Sequence, residues 1–178
     1  MIFSSVPFIF VFLPISLAGF WIFANFSKKC SGLWLIVASI VFYGYWRLTF
    51  IPMLICSIAF NYVVGLLLVR MERHPRAQNI ILFTGITVDI AALFYFKYAV
   101  GLATFFGFQS LAGVPFWEIV LPLGISFFTF TQIGYLVDVK QGVAKTRDLL
   151  SYILFVTFFP HLIAGPILHN REMMPQFV

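Results

Sequence analysis

Long apolar runs recur along this chain, and they constrain its fold more than any other feature of the sequence. Each run is bounded by charged or turn-forming residues, and six can be traced: about Val6–Phe26, Leu33–Trp46, Phe50–Val69, Ile80–Phe96, about Phe116–Val137, and Leu149 to about Leu168. A transmembrane helix needs roughly 20 predominantly apolar residues. The runs therefore predict an all-α, polytopic helical membrane protein with about six transmembrane helices, which form a single membrane domain over residues 1–178.

The composition excludes a soluble fold. Of the 178 residues, 62% are hydrophobic and 10% are charged, whereas soluble domains carry roughly 45–50% apolar and about 25% charged residues. The net charge of +5 does not indicate nucleic-acid binding, because the basic residues occupy the short gaps between the apolar runs instead of one patch. Membrane lipid is the expected surrounding, and no nucleic acid is expected as a partner.

The charges in the gaps predict the orientation in the membrane. If the N-terminus lies outside, eight basic residues fall inside and three outside. The inside set is Lys28, Lys29, Arg70, Arg73, Arg76, Lys140, Lys145 and Arg147, and the outside set is Arg47, Lys97 and Arg171. The positive-inside rule favours this arrangement over its inverse. The stretch Gly101–Pro115 is apolar but rich in glycine, and we expect an interface loop or a short re-entrant segment there.

Two polar residues lie within the third and fourth runs. Asn61 is expected to make an interhelical hydrogen bond, as polar side chains in membrane helices commonly do. Asp89 needs a partner or a water-filled cavity, because an ionised carboxylate in lipid is costly. A structural role and a cavity-lining role are equally open for Asp89.

Three hydrogen-bonding residues in the fifth run, Ser126, Thr129 and Gln132, follow one another at a spacing of three. This spacing puts them on one face of a helix, and that face should turn away from lipid. It could bind neighbouring helices or form the polar wall of a substrate path. Asp138 follows at the predicted inner end and is interpreted as a solvated charge.

The sixth run contains His161, between Pro160 and Gly165-Pro166. The prolines interrupt helical hydrogen bonding, and broken membrane helices usually line cavities. A lone histidine is more often structural than catalytic, and no carboxylate or serine stands at a spacing that would complete a triad. The chain also lacks a recognisable metal motif. The residues alone therefore identify no catalytic group and no metal ligand.

Two long stretches carry a resemblance to a known family. LPLGISFFTFTQIGYLVDVKQG (121–142) and FFPHLIAGPILHNREMMPQF (158–177), with the shorter SIVFYGYW, FNYVVGLLL and ALFYFKYA before them, resemble the N-terminal half of a membrane-bound O-acyltransferase. The branch is the one typified by the bacterial alginate O-acetylation protein and the D-alanyl transfer protein of teichoic acid. The resemblance covers nearly the whole chain in order.

The resemblance implies a multi-pass O-acyltransferase of the bacterial inner membrane. It would pass acetyl groups from a cytoplasmic donor, acetyl-CoA or another acyl donor that acts as substrate, towards an extracytoplasmic polysaccharide such as alginate. Periplasmic acetyltransferases are the implied partners, and no bound cofactor is implied. The candidates for lining the helical funnel of such an enzyme are His161, Gln132, Thr129, Ser126 and Asp89.

One family pattern is missing from this sequence. Family members are longer and carry their invariant histidine in a later Trp-x-x-His-Gly helix. We therefore expect the chain to be truncated at its C-terminal end, with the catalytic histidine beyond Val178 and no activity in this chain alone. The alternative is a non-catalytic membrane scaffold or a transporter piece. Transporters often repeat a broken helix in both halves, and this chain shows one broken run and no repeat.

Overall fold

A computed structural model describes residues 5–106, 110–111, 114–115, 122, 124–143 and 148–162. These residues are helical apart from turns and one short antiparallel pair, β1 (Ser110–Leu111) with β2 (Val114–Pro115). The helices are α1 (Leu13–Ala24), α2 (Lys28–Trp46), α3 (Ile51–Arg70), α4 (Pro75–Phe105), α5 (Ile125–Lys140), α6 (Leu149–Thr157) and α7 (Phe159–Leu162). The helical fold class predicted from the sequence is confirmed.

The second apolar run forms a longer helix than its hydropathy suggests. Helix α2 begins at Lys28, where the Ser27 side chain accepts a hydrogen bond from the backbone N–H of Lys29 at 3.3 Å. A serine cap satisfies one of the free donors at a helix start. The helix therefore has 19 residues, or about 28 Å at 1.5 Å per residue, although its first turn is polar.

Helices α1 and α2 pack closely. The indole Nε1 of Trp34 donates to the backbone oxygen of Ser16 at 3.0 Å. The Trp34 ring lies over Gly19, where a side chain would collide with it at 2.2 Å. The glycine thus lets the ring reach the backbone of α1.

Helices α3 and α4 form the part of the chain with the clearest membrane character. Among the described residues, Leu48–Arg70 and Pro75–Tyr98 are long and apolar enough to cross a bilayer. The fourth run predicts a helix that ends near Phe96, but α4 continues to Phe105. The expectation of a loop throughout Gly101–Pro115 is therefore wrong at its start, because this glycine is accommodated within a continuing helix.

The sixth run is broken, as its prolines predict. Helix α6 ends at Thr157 and α7 begins at Phe159. The freed backbone N–H of Phe159 donates to the Ser39 hydroxyl of α2 at 3.1 Å, and the Phe159 ring packs with Phe8, Phe12 and Phe42. Protein therefore covers the break. The predicted continuation from Ile163 to Leu168 lies outside the described residues, as do residues 116–121 of the fifth run.

The order of contacts along each helix gives its direction. In α2, Gly32 lies near Leu150 and Leu154 of α6. Seven residues later in α2, Ser39 contacts Phe159, which follows α6. These two helices therefore run parallel. In contrast, α4 runs antiparallel to α3, because Asn61 lies near Asp89 and Val64 lies near Gly85. It also runs antiparallel to α5, in which Gln132 lies beside Asn61 and Leu136 lies beside Gly85.

Candidate functional site

A polar network joins α3, α4 and α5 at their common interface. The amide Nδ2 of Asn61 donates to Asp89 Oδ1 at 2.9 Å and also to Gln132 Oε1. The Ser57 hydroxyl, one turn earlier on α3, donates to the same Gln132 oxygen at 3.1 Å. These four residues form what we call the polar cluster. It links three helices through side chains that a lipid-facing surface could not accommodate.

The polar cluster is buried and retains unused hydrogen-bonding capacity. Asn61 and Gln132 are fully buried, and Asp89 is 5% exposed. Within the described part of the chain, Asp89 Oδ2, Asn61 Oδ1 and Gln132 Nε2 have no hydrogen-bond partner. Buried polar groups are nearly always paired. The cluster therefore offers two acceptors and one donor to a water molecule or to a polar ligand.

A glycine brings the three helices close enough for these bonds. Gly85 lies one turn before Asp89 on α4, and a Cβ there would lie 3.0 Å from Val64 Cγ1 of α3 and 3.1 Å from Leu136 Cδ1 of α5. Small residues at helix interfaces permit this close approach. The polar cluster therefore depends on the absence of a side chain at Gly85.

Three tyrosine rings border the polar cluster on the side of α6. Tyr152 of α6 packs on Tyr135 of α5 at a ring-centroid distance of 4.2 Å and on Tyr62 of α3 at 5.7 Å. Tyr62 follows Asn61 in sequence, and Tyr135 lies one turn after Gln132. The buried Tyr152 hydroxyl has no hydrogen-bond partner within residues 5–106, 124–143 and 148–162. Polar and aromatic groups thus alternate along this interface.

The structure brings together two of the five predicted funnel residues, Asp89 and Gln132. Thr129 is buried one turn before Gln132, and Ser126 is half-buried. The polar face of α5 therefore points into protein, as its spacing predicts. His161 lies on α7, and its side chain is outside what the structure describes. In the described residues no group of three His, Cys, Asp or Glu side chains could hold a metal ion.

Asn61 bonds to two neighbouring helices, which confirms the expected interhelical hydrogen bond. Sequence reasoning missed Ser57, although its spacing of four from Asn61 puts both on one face of α3. Asp138 was wrongly interpreted as a solvated charge, since it is only 6% exposed. Helix α5 packs against α3, α4 and α6, and this burial reaches its last turn.

Comparison with curated proteins finds relatives that align with nearly the whole chain. A peptidoglycan O-acetyltransferase of Helicobacter pylori is 35% identical over 205 residues, which cover 99% of this chain and 38% of the relative. A probable alginate O-acetylase, AlgI, of Pseudomonas aeruginosa is 38% identical over 185 residues, which cover 99% of this chain and 34% of the relative. This chain therefore spans about a third of the length of these relatives.

A more distant relative is a teichoic acid D-alanyltransferase of Lacticaseibacillus rhamnosus. It is 30% identical over 93 residues, which cover 48% of this chain and 22% of the relative. No family model matches the sequence, and no solved structure matches it.

Proposed function

We propose that this chain, which is similar to O-acetyltransferases of the membrane-bound O-acyltransferase type, is part of a membrane enzyme that acetylates a polysaccharide outside the cytoplasm. Its likeness to O-acetyltransferases across 99% of its residues carries this proposal. The donor we propose is acetyl-CoA or another cytoplasmic acyl donor. The acceptor is alginate or a polysaccharide with similar free hydroxyls, and periplasmic acetyltransferases are its partners.

Within this enzyme, we propose that the polar cluster lines the path along which the acyl group moves. The free acceptors on Asp89 and Asn61, with the free donor on Gln132, can orient a hydroxyl or a carbonyl group in a space from which lipid is excluded. Hydrogen bonds of this kind are stronger in a medium of low polarity than in water. Ser126, Thr129 and His161 are proposed to extend this wall, and the proposed catalytic histidine is the one in the Trp-x-x-His-Gly pattern of the family.

We propose that the chain crosses the bacterial inner membrane six times, with its N-terminus outside. The helix directions support this, because α2 and α6 run parallel while α4 runs antiparallel to α3 and α5. Successive crossings of one chain must alternate in this way. The turn between α3 and α4 carries Arg73 and is flanked by Arg70 and Arg76, which favours the cytoplasmic side.

A reporter fused after Arg76 tests the orientation. We expect a cytoplasmic signal, with little alkaline phosphatase activity and strong green fluorescence, because the three arginines of this turn oppose export. A matched fusion after Arg47 should give the reverse result. Periplasmic activity at Arg76 would overturn the proposed topology.

Acetyl content of the polymer tests the enzymatic function. Cells that carry only the complete gene with its Trp-x-x-His-Gly histidine replaced should lose polymer acetylation entirely, because proton transfer by a positioned side chain typically contributes about 10²–10⁴-fold to a rate. His161→Ala should cause a smaller, partial loss, because this residue is proposed to line the path without acting on the reacting atoms. Membrane abundance measured by immunoblot is the control. An equal and total loss from His161→Ala, at normal abundance, contradicts this assignment.

A non-catalytic scaffold or transporter piece is the second candidate. The unused hydrogen-bonding capacity of the polar cluster is also what a permeation path would present. The two candidates differ in whether chemistry occurs. Normal polymer acetylation in cells that lack the gene would favour the scaffold or transporter. Loss of acetylation that the complete gene restores, and that the gene with its Trp-x-x-His-Gly histidine replaced does not restore, favours the enzyme.

A further inference from the structure

A cleft lies between the first turns of α2 and α6, away from the polar cluster. It encloses about 210 Å³, and its walls carry Lys28 and Lys29 from α2 and Asp148 and Ser151 from the start of α6. Its base is apolar, since Gly32 and Leu154 lie there and both are buried. The cleft thus combines a charged, exposed rim with an apolar base.

The electrostatics of this rim favour an anion. The N-terminus of an α-helix carries about half a positive charge, and α2 places two lysines in this same turn, where cations are unfavourable. A negative group in the cleft would relieve this repulsion. Helix α6 also starts here and runs parallel to α2, so the positive end of its dipole lies at the same end of the bundle.

Asp148 is the opposing charge in the cleft, and α6 already engages its carboxylate. One oxygen accepts from the backbone N–H of Leu150 at 3.3 Å, and the other accepts from the Ser151 hydroxyl. The carboxylate therefore serves as the N-cap of α6. Among the described residues that line the cleft, two lysines and one aspartate give the rim a positive formal charge.

The size and polarity of the cleft select the kind of anion. A volume of 210 Å³ is below the roughly 300–1,000 Å³ of pockets that enclose a drug-sized ligand, and it is too small for a whole nucleotide donor. A lipid phosphodiester fits this combination, with its phosphate at the lysines and the start of its acyl chains over Leu154. Basic pockets between membrane helices bind anionic headgroups in this way.

We propose that this cleft binds the phosphodiester headgroup of an anionic phospholipid, such as phosphatidylglycerol. The lipid holds the first turns of α2 and α6 together and thereby supports the covered break between α6 and α7. The proposal does not require acyl transfer by the protein. If the N-terminus lies outside, as proposed above, the cleft faces the cytoplasmic leaflet, and this is the one part of the inference that rests on the proposed orientation.

The test uses the complete protein in a neutral detergent, titrated with phosphatidylglycerol or with phosphatidylcholine of the same chains. A ligand that binds the folded state raises the melting temperature as its concentration grows, and we expect this rise for phosphatidylglycerol alone. Replacing both lysines (Lys28→Gln with Lys29→Gln) should weaken the apparent affinity by about 5-fold for each charge removed. Each affinity is measured relative to that variant's own melting temperature without lipid, so that a change in basal stability does not enter the comparison.

Two further variants separate a specific site from general charge. Arg70→Gln with Arg73→Gln removes the same charge from the α3–α4 turn and should leave phosphatidylglycerol binding intact. Asp148→Asn keeps an equally good N-cap and should strengthen binding. Equal weakening by the lysine and arginine pairs would overturn the proposal, as would an unchanged affinity in the lysine pair. Inorganic phosphate or acetyl-CoA that stabilises the protein as well as the lipid would show a site for soluble phosphates and would also overturn it.

Discussion

Replacing Asn61 with leucine should destabilise the membrane domain by about 1–3 kcal/mol, the usual cost of a buried polar group that loses its partner. Asn61 donates to Asp89 on α4 and to Gln132 on α5, so the substitution deprives both acceptors of a donor at once. The melting temperature of the complete protein in detergent should fall. Interhelical hydrogen bonds in membranes average only about 0.6 kcal/mol, so the unpaired carboxyl of Asp89 accounts for most of the effect.

A second substitution separates the lost bond from a general loss of packing. Asn61→Leu combined with Asp89→Leu removes both partners of one hydrogen bond, and such pairs can be nearly neutral. We expect the double variant to melt above Asn61→Leu alone. The matched control is Thr84→Val on α4, because the partner of the Thr84 hydroxyl among the described residues is the backbone oxygen of Ile80 on the same helix. If the double variant melts no higher than Asn61→Leu alone, the polar cluster is not a paired unit.

A large side chain at Gly85 should have the greatest effect of any single substitution in this interface. Its Cβ position is already 3.0 Å from Val64 Cγ1 and 3.1 Å from Leu136 Cδ1, so Gly85→Leu would drive α4 away from both neighbours. Overpacking of a filled core costs about 1–3 kcal/mol or more. The displacement would also separate Asp89 from Asn61, one turn away. We therefore expect loss of both stability and polymer acetylation.

Two further glycine variants show whether the effect of Gly85→Leu depends on the size of the side chain and on its position. Gly85→Ala requires the neighbours to give by a few tenths of an ångström, and alanine favours a helix over glycine by about 1 kcal/mol, so its net effect should be small. At Gly134 of α5 a Cβ would meet nothing within 4 Å, and Gly134→Leu should be tolerated. Melting temperature and membrane abundance measure all three variants. If Gly85→Leu and Gly134→Leu lower the melting temperature and the membrane abundance equally, the packing of α4 does not depend specifically on Gly85.

Hydropathy predicts the helices here because lipid imposes one requirement along the whole chain: a backbone that satisfies its own hydrogen bonds. Hydropathy is a poor predictor of the residues at which a helix begins and ends. Lys28 and Lys29 look like a loop until Ser27 is recognised as a cap, and Gly101 looks like a terminator although α4 passes through it. Local polarity marks where lipid ends, whereas a helix ends where its hydrogen-bonding pattern stops.

The polar cluster could be predicted in part. The cost of burying a carboxylate shows that Asp89 needs a partner, and the spacing of three shows that Gln132 faces inward. Neither observation predicts that Asp89 and Gln132 lie close together. The two residues are on different helices, and their proximity depends on the close packing of the helices at Gly85. Ser57 was missed because a single hydroxyl in a helix can instead bond to a carbonyl oxygen of its own helix. Asn61 alone supplies the donor that connects the other two side chains.

The length of helix α4 also bears on the depth of Asp89 in the bilayer. Its 31 residues extend about 46 Å at 1.5 Å per residue, which matches the roughly 40–45 Å between the outer limits of the two headgroup layers. Asp89 lies about 21 Å from the start of this rod and about 24 Å from its end. A helix of that length has little freedom to move along the bilayer normal. With the proposed topology, its two ends lie in opposite headgroup layers, and the one carboxyl of the polar cluster lies near the midplane of the bilayer.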